Sequence, residues 1–439
     1  MLRRAARLFL YLTFFELLLW PFVQHAWQSE VFVDEVTFLS AGNGAVAMIR
    51  RGEFLSPKWT GNDWGQYGWV NPWLAKYLMG LSMHLTGHGD EVFKTWYDQG
   101  APITHSVLLS ARAPGVLLGW GTCVLLFFLG RRISPAVGIF AAAYVGFNEW
   151  FEWTTSLAML DGPCAFFSVL TALLLFQLKD LLFAGAAWAR LARRAAAVGV
   201  AAGCAISAKY NGGLALAFAM ILLGGLGATQ FAGVARLPRG PLPAFVCAAI
   251  VGLATALTVY GLNPHFYRHP IDQLRATAQF WSTRYGVEST EIRVTSRLDA
   301  ARRTTRILVN NDTSKLFNRE TYYRLFNLDH RVKNYYESRY VAAPWSLALI
   351  GYLWATARIA IERYCRGRAA ALTDPEANLL WSLVTCFLFI LWLPADFDRY
   401  FLPPFLTTPV LIGYGARDIA LTSVAAWRRL RPAALARAS

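Results

Sequence analysis

The sequence is poor in charge for its length. Of its 439 residues, 16% are charged and 56% are hydrophobic, whereas soluble domains are about 25% charged and about 45–50% apolar. A surface that faces water needs more charge than this, so much of the surface must face an apolar medium. The composition therefore excludes an ordinary soluble protein and indicates a membrane protein.

The apolar runs also lack the two-residue alternation of a transmembrane β-barrel. Crossing a hydrocarbon core of ~30 Å takes about 20 residues of helix, and most of the runs approach that length. A helix satisfies its backbone polar groups internally, as lipid requires. We therefore predict an all-α integral membrane protein with about ten transmembrane helices. The predicted spans are roughly 8–27, 107–129, 134–149, 155–177, 195–209, 211–228, 242–262, 343–361, 378–394 and 400–422.

Cysteine is scarce, with six residues and no CxxC pair. Most of the cysteines lie inside apolar runs, so we interpret them as small buried side chains and not as disulfides or metal ligands. Internal repeats and low-complexity tracts are also absent from the sequence. We therefore predict a single transmembrane domain over residues 1–439, in which the first apolar run is retained because it is too long for a signal-peptide core.

The net charge of +15 is typical of nucleic-acid-binding proteins and of membrane proteins with basic inner loops. Much of the Lys and Arg lies in short tracts beside apolar runs, so we predict no nucleic-acid partner. The tracts agree with one orientation, in which both termini are cytoplasmic. That orientation places two long loops, about 28–106 and 263–342, on the outer side of the membrane. The basic tracts are Arg131-Arg132, 179–194, 236–239, 358–368 and the tail from Arg428.

Acidic residues occur near the predicted outer ends of two spans. Asp34 and Glu35 follow the first span, and Asp161 lies near the outer end of the run 157–175. An ionisable group at membrane depth is a functional candidate, because its exposure to lipid is costly. The alternatives are a solvated first helical turn for Asp34 and Glu35 and an interfacial helix cap for Asp161.

Cations and polar side chains fall at the same predicted ends. The alternatives to a functional role are snorkelling for Lys76 and a local ion pair with Asp396 or Asp398 for Arg399. Randomly distributed interfacial residues would use both sides of the membrane, whereas these all fall on the outer side, so we predict that they share a site. The set consists of Asn71, Trp73, Lys76, Lys209, Tyr210, Asn263, His265, Asp398, Arg399 and Tyr400.

At these positions the chain resembles the GT-C membrane glycosyltransferases, in particular the branch of protein O-mannosyltransferases and lipid A aminoarabinose transferases. The resemblance extends from about Asp34 to Pro404. Where family members typically have His-Pro-Pro or Lys-Pro-Pro, this chain has Asn71-Pro72-Trp73, which leaves the substrate and any metal ligand there open. The resemblance rests on Asp34-Glu35, Asn71-Pro72-Trp73-Leu74-Ala75-Lys76, Leu160-Asp161, Ala208-Lys209, Arg399-Tyr400 and Leu402-Pro403.

The resemblance implies a GT-C-like fold and a glycosyltransferase whose donor is a sugar linked to polyprenyl phosphate. It implies an acceptor on the outer side, which is a lipid, a polysaccharide or a protein, and an inverting single displacement. A hydroxyl acceptor needs a general base, for which we choose Asp34, with Glu35 and Asp161 as orienting or sugar-binding groups. Cations stabilise the leaving phosphate, and our candidates are Lys76, Lys209 and Arg399. The predicted substrate pocket consists of Asn71, Trp73, Tyr210, Asn263, His265, Asp398 and Tyr400.

A polytopic transporter or a flippase for lipid-linked sugars is the alternative function. Such proteins have repeat symmetry and polar residues near the bilayer midplane, and the sequence shows neither; a non-catalytic scaffold is a third class. No cofactor is required by the sequence, although a divalent metal held together with substrate phosphate stays open. We expect a multi-pass protein of the bacterial cytoplasmic membrane, surrounded by membrane lipids, with its active site facing outward.

Overall fold

The computed structural model describes most of the chain as helix. The described residues are 2–29, 31, 33–60, 70–89, 103–231, 237–287, 294, 296–310, 345–367, 371–392 and 401–438. Within these ranges there are helices and turns and no strand, which confirms the predicted all-α class.

The described part of the chain contains long helices, several shorter ones and three 3-10 turns. The turns are Pro57–Thr60, Tyr210–Gly212 and Pro264–Phe266. The helices are α1 (Leu2–Gln28), α2 (Val33–Arg50), α3 (Leu74–Leu85), α4 (His105–Arg131), α5 (Pro135–Gly146), α6 (Glu149–Ser156), α7 (Asp161–Phe183), α8 (Trp188–Ala208), α9 (Gly213–Phe231), α10 (Leu242–Leu262), α11 (Pro270–Val287), α12 (Arg297–Asn310), α13 (Trp345–Arg366), α14 (Asp374–Trp392), α15 (Leu402–Thr407) and α16 (Pro409–Ala438).

Six helical segments in the described ranges are long and apolar enough to cross a membrane. They are α4, α7, α8, α9 with its preceding turn, α10 and α14. The chain is therefore a multi-pass membrane protein. Helices α1, α13 and α15–α16 coincide with three further predicted spans, and the total of about ten spans stays a prediction.

Two predicted spans have different bounds in the structure. Helix α5 has only 12 residues, roughly 18 Å of helix, which is too short for a ~30 Å core. The side chain of Asn148 then accepts a hydrogen bond from the Phe151 N–H at 3.0 Å and begins helix α6, as N-cap residues do. Helix α5 therefore ends before the predicted span 134–149 does, a separate helix α6 follows it, and the span predicted at 155–177 begins later, at Asp161.

Antiparallel packing brings polar residues to two opposite ends of the bundle. The Glu35 end is where α1, α8 and α10 end and where α4 and α7 begin. There Arg112, near the start of α4, donates to the Ser29 carbonyl just after α1 at 2.7 Å. The Asp374 end is where α4 and α7 end and α14 begins, and there Arg132 contacts Asp374 at 3.0 Å.

A close backbone approach shapes the Glu35 end. A Cβ atom at Gly115 of α4 would lie 2.6 Å from the Thr155 carbonyl oxygen and 2.7 Å from that of Leu157. No side chain larger than hydrogen fits there without a backbone shift. Glycine at this position therefore lets α4 lie directly against the segment that leads from α6 to α7.

Candidate active site

The two adjacent acids of the predicted site have different surroundings. Asp34 and Glu35 lie in the first turn of α2, where successive side chains point about 100° apart. Glu35 is fully buried, and its carboxylate accepts bonds from Arg112 Nε at 2.8 Å and Nη2 at 2.7 Å. The backbone N–H of Ala158 donates to Glu35 at 2.7 Å. Asp34 is partly exposed, so the surroundings of its carboxylate differ from those of Glu35.

Arg112 is the partner of Glu35 that we did not predict. Its guanidinium is fully buried and also donates to the carbonyls of Ala26 at 2.8 Å and Ser29 at 2.7 Å. One side chain thereby joins the end of α1 to α2, α4 and the segment before α7. A lone arginine in an apolar run is a signal that sequence reasoning can use, but it does not reveal which acid is the partner.

Asp161 and Lys209 form an ion pair. Asp161 is the first residue of α7, and Lys209 follows α8 in extended conformation. The ammonium of Lys209 donates to Asp161 Oδ1 at 2.6 Å, with side-chain exposures of 14% and 2%. Tyr210 begins the 3-10 turn that follows, at the boundary between the predicted spans 195–209 and 211–228.

Five predicted residues form one connected group, which we call the Trp73 group: Asn71, Trp73, Lys76, Asn263 and His265. Lys76 Nζ donates to the Asn71 carbonyl at 2.7 Å and lies 4.2 Å above the centre of the Trp73 ring. The backbone N–H of Trp73 donates to Asn263 Oδ1 at 3.1 Å, and its indole Nε1 donates to His265 Nδ1 at 3.0 Å. All five residues are buried.

Lys76 does not snorkel in the structure, although the sequence left that alternative open. A snorkelling lysine keeps its ammonium in water, whereas Lys76 has no exposed surface. Burial lowers the pKa of Lys76 well below its ordinary value. The Asn71 carbonyl and the Trp73 ring favour the charged form, because both present negative electrostatic potential to the ammonium.

His265 is neutral at physiological pH. Burial, followed by the nearby charge of Lys76, lowers the pKa of His265 to about 3. Its Nδ1 accepts the bond from Trp73. Its Nε2 is buried and has no hydrogen-bond partner among the residues that the structure describes.

The Trp73 group and the ion pair of Lys209 adjoin each other. Asn263 Nδ2 donates to Ser207 Oγ at 3.0 Å, and Ser207 lies two residues before Lys209. The Glu35 carboxylate is bonded to Ala158, three residues before Asp161. The structure therefore brings most of the predicted site residues to the same end of the bundle.

Three predicted site residues, Asp398, Arg399 and Tyr400, lie outside the described residues. Within the described part, no three His, Cys, Asp or Glu side chains form a group that fits a metal ion. The structure thus offers no complete metal donor set there.

A second charged cluster lies at the opposite end, where we predicted basic tracts but no buried network. Lys179 donates to Asp374 at 2.7 Å and to the Leu372 carbonyl at 3.0 Å. Arg132 contacts Asp374 at 3.0 Å and also pairs with Asp180. Polar residues are therefore gathered at both ends, and position at one end does not by itself distinguish a functional residue.

The comparisons with known proteins agree with the resemblance. Residues 63–225 match the family model of dolichyl-phosphate-mannose-protein mannosyltransferase. No curated protein sequence is significantly similar to the chain. The matched segment contains Asn71, Lys76, Asp161 and Lys209, so it includes much of the candidate site.

Among solved structures, the chain is similar to ArnT from Cupriavidus metallidurans in the apo state, with a TM-score of 0.53 and 13% identity over 93% of this chain and 60% of that one. The structure of ArnT from the same organism bound to undecaprenyl phosphate has a TM-score of 0.46 and 14% identity, over 92% of this chain and 59% of that one. The Archaeoglobus fulgidus oligosaccharyltransferase in complex with Zn and sulfate has a TM-score of 0.48 and 12% identity, over 81% of this chain and 41% of that one. The chain thus spans less than two thirds of the length of each. The apo ArnT match confirms the predicted GT-C-like fold.

Proposed function

We propose that this protein is a GT-C glycosyltransferase that transfers a sugar from a polyprenyl-phosphate-linked donor to an acceptor on the outer side of the membrane. One observation carries the proposal. Lys76, Asp161 and Lys209 lie within the segment that matches the mannosyltransferase family model, and their bonded groups adjoin at one end of the bundle. A lipid phosphate would lie at such an end, because it anchors at the membrane surface.

The leaving group of this reaction is a lipid phosphate that gains negative charge as the sugar departs. Preorganised cations stabilise such charge in a site that excludes water. Lys76 supports this role because its ammonium is fully buried, and Lys209 because Asp161 holds its ammonium at 2.6 Å. Arg399 is proposed as a third phosphate ligand from the sequence alone.

The proposed transfer is a single displacement with inversion. The acceptor hydroxyl oxygen attacks the anomeric carbon, the bond from that carbon to the phosphate oxygen breaks, and its electron pair leaves with the lipid phosphate. Asp34 takes the hydroxyl proton as general base. The choice of Asp34 over Glu35 is supported by the three hydrogen bonds that already occupy the Glu35 carboxylate.

The remaining residues are assigned to the substrate pocket of one catalytic domain over residues 1–439. The proposed pocket consists of Asn71, Trp73, Tyr210, Asn263, His265, Asp398 and Tyr400. The acceptor is a lipid, a polysaccharide or a protein. The proposed location is the bacterial cytoplasmic membrane, with residues 28–106 and 263–342 on its outer side.

The test uses purified protein in lipid nanodiscs with polyprenyl-phosphate donors that carry radiolabelled sugars, starting with mannose. We expect free lipid phosphate and glycosylated acceptor to form together. We expect Asp34→Asn to abolish most of the formation of both products. Asp272→Asn is the matched control, because Asp272 is an exposed acid on α11 with 74% side-chain exposure. In proteoliposomes, movement of intact donor across the bilayer without cleavage would contradict the proposal and favour a flippase.

A further inference from the structure

A buried histidine nitrogen at the Glu35 end forms no hydrogen bond within the described protein. His265 is 3% exposed, and its Nε2 has no hydrogen-bond partner among the described residues. Leaving a buried polar atom unsatisfied is destabilising, because the atom loses its hydrogen bonds to water and gains none in the protein. A group of this kind calls for an explanation, and one explanation is a ligand that supplies the missing partner.

The neighbouring tryptophan determines what Nε2 can do. The indole Nε1–H is a donor only, so His265 Nδ1, which lies 3.0 Å from it, must act as the acceptor. A neutral imidazole carries one hydrogen, and here that hydrogen must lie on Nε2. The orphan atom is therefore a hydrogen-bond donor, and its partner must be an acceptor.

Resting on the proposed function, we propose that the Nε2–H of His265 donates a hydrogen bond to an oxygen of the donor's phosphate, beside the ammonium of Lys76. Trp73 acts as a positioning residue, because its indole fixes the hydrogen of His265 on the nitrogen that faces the ligand. A neutral donor adds a hydrogen bond to the anion without placing a second positive charge next to Lys76. Trp73 contacts both groups, through its indole N–H and its ring face.

The same geometry disfavours His265 as a metal ligand. A metal on Nε2 needs the lone pair of that nitrogen, and the other ring nitrogen then carries the hydrogen and donates it to an acceptor. Here Nδ1 faces the indole N–H of Trp73, so two donors would oppose each other. An anionic oxygen satisfies both residues, whereas a metal ion would break the bond between them.

This arrangement depends on the departure of the chain from its family pattern. Trp73 stands where the His-Pro-Pro or Lys-Pro-Pro pattern has its last proline. Proline has neither an indole N–H to direct His265 nor an aromatic face for Lys76. The inference is therefore specific to chains that carry this tryptophan.

The binding test compares undecaprenyl phosphate with uncharged undecaprenol in nanodiscs that hold the full-length protein. We expect His265→Ala to weaken binding of the phosphate lipid roughly ten- to a hundredfold, the effect of one hydrogen bond to a charged group, without weakening undecaprenol binding. Trp73→Phe keeps an aromatic ring for Lys76 and removes the indole N–H together with the pyrrole ring, so its effect should be smaller than that of His265→Ala. His269→Ala is the control, because His269 is exposed and close in sequence.

A second readout does not depend on ligand. In protein labelled with nitrogen-15 at histidine, the NMR spectrum should show the hydrogen of His265 on Nε2 in the wild type and a mixture of tautomers in Trp73→Phe. A purely structural role for Trp73 would not shift this ratio. The readout also tests the inference if His265→Ala fails to fold.

The outcomes separate the two proposals. If wild-type protein binds undecaprenyl phosphate and undecaprenol equally, the proposed donor is wrong, and the inference fails with it. If wild type prefers the phosphate and His265→Ala retains the same preference, only the inference is overturned. A hydrogen on Nδ1, or a shift of the His265 signals by zinc with loss of the Trp73 contact, would also overturn it.

Discussion

The two ends of the helical bundle bury charge in different ways. At the Asp374 end, each charged group of the cluster meets an opposite charge: Lys179 and Arg132 both contact Asp374. At the Glu35 end, Lys76 contacts a carbonyl oxygen and an aromatic ring, and His265 holds a donor with no acceptor in the described protein. Arg132 Nε at the Asp374 end is also a buried donor with no partner among the described residues, so an orphan donor alone does not distinguish the two ends, and mutations are needed to separate a structural role from ligand binding.

The Glu35 end itself contains both kinds of group. Glu35 and Arg112 satisfy each other and the carbonyls around them, as the pairs at the Asp374 end do. Asp34, one residue away, lies in a different environment. The difference between the two ends of the bundle is thus repeated between the adjacent residues Asp34 and Glu35, and mutations can test it.

The largest effect is expected at Asp34. Asp34→Asn keeps the shape of the side chain and removes its basicity, so the rate of sugar transfer should fall about 10²–10⁴-fold, with donor binding unchanged. Single-turnover transfer at saturating donor measures this rate. Full activity in Asp34→Asn would show that the base is another group.

For Glu35 we expect a loss of protein stability, in contrast to the loss of transfer rate expected for Asp34. Glu35→Gln removes a carboxylate that accepts two bonds from the buried guanidinium of Arg112, and breaking a buried ion pair costs about 3–5 kcal/mol. Chemical unfolding in detergent measures the change. The double variant Glu35→Gln with Arg112→Met should recover part of the loss, because it removes both members of the pair.

The control for this pair is Glu53→Gln. Glu53 pairs with Arg51, and both side chains are exposed, so the change should cost about 0–1 kcal/mol. An equal cost at Glu35 and Glu53 would contradict the structural role of Glu35.

An intermediate effect is expected at Lys209. Lys209→Ala removes one charge-assisted contact to the donor phosphate, so the apparent donor affinity should fall roughly ten- to a hundredfold. Transfer rates at limiting donor measure this. Asp161→Asn keeps Lys209 but loosens its position, so it should weaken donor affinity less than Lys209→Ala does; an equal loss would indicate that the ion pair is only structural.

The most gradual effect concerns pH and His265. Its folded-state pKa of about 3 lies below the ordinary value of about 6.5, so the unfolded chain binds more protons between these values. Stability contributed by neutral His265 is therefore complete above pH 6.5 and is lost as the pH falls, by at most about 1.4 kcal/mol per unit. Unfolding at several pH values should show a shallower loss in His265→Gln than in the wild type, and identical slopes would contradict the neutral buried state.

The helices were largely predictable because apolar runs of sufficient length have few alternatives in a membrane. The separate helix α6 was not predicted, because its start depends on the local N-cap bond of Asn148 and not on a long apolar run. The residues of the site were predictable as ionisable or polar groups at span ends.

The partners of the site residues could not be predicted in the same way. Arg112 and Glu35 are 77 residues apart, and Trp73 and His265 are 192 apart. Such contacts depend on how the helices pack, for which the close approach of α4 at Gly115 is one requirement. A charge pattern shows which end of a helix a residue occupies, but not which side chain it meets.

The most direct measurement exchanges the same side chain at the two ends. Lys76 and Lys179 are both buried, at 0% and 2% exposure, and methionine replaces either ammonium with an apolar group of similar length. We expect Lys76→Met to lower the affinity for undecaprenyl phosphate roughly ten- to a hundredfold. Lys179→Met should leave that affinity unchanged and lower the free energy of unfolding, because Asp374 loses one of its two cationic partners and the Leu372 carbonyl loses its donor. Unchanged lipid affinity in a folded Lys76→Met variant, or an equal loss of affinity in both variants, would contradict the assignment of the Glu35 end as the donor-phosphate site.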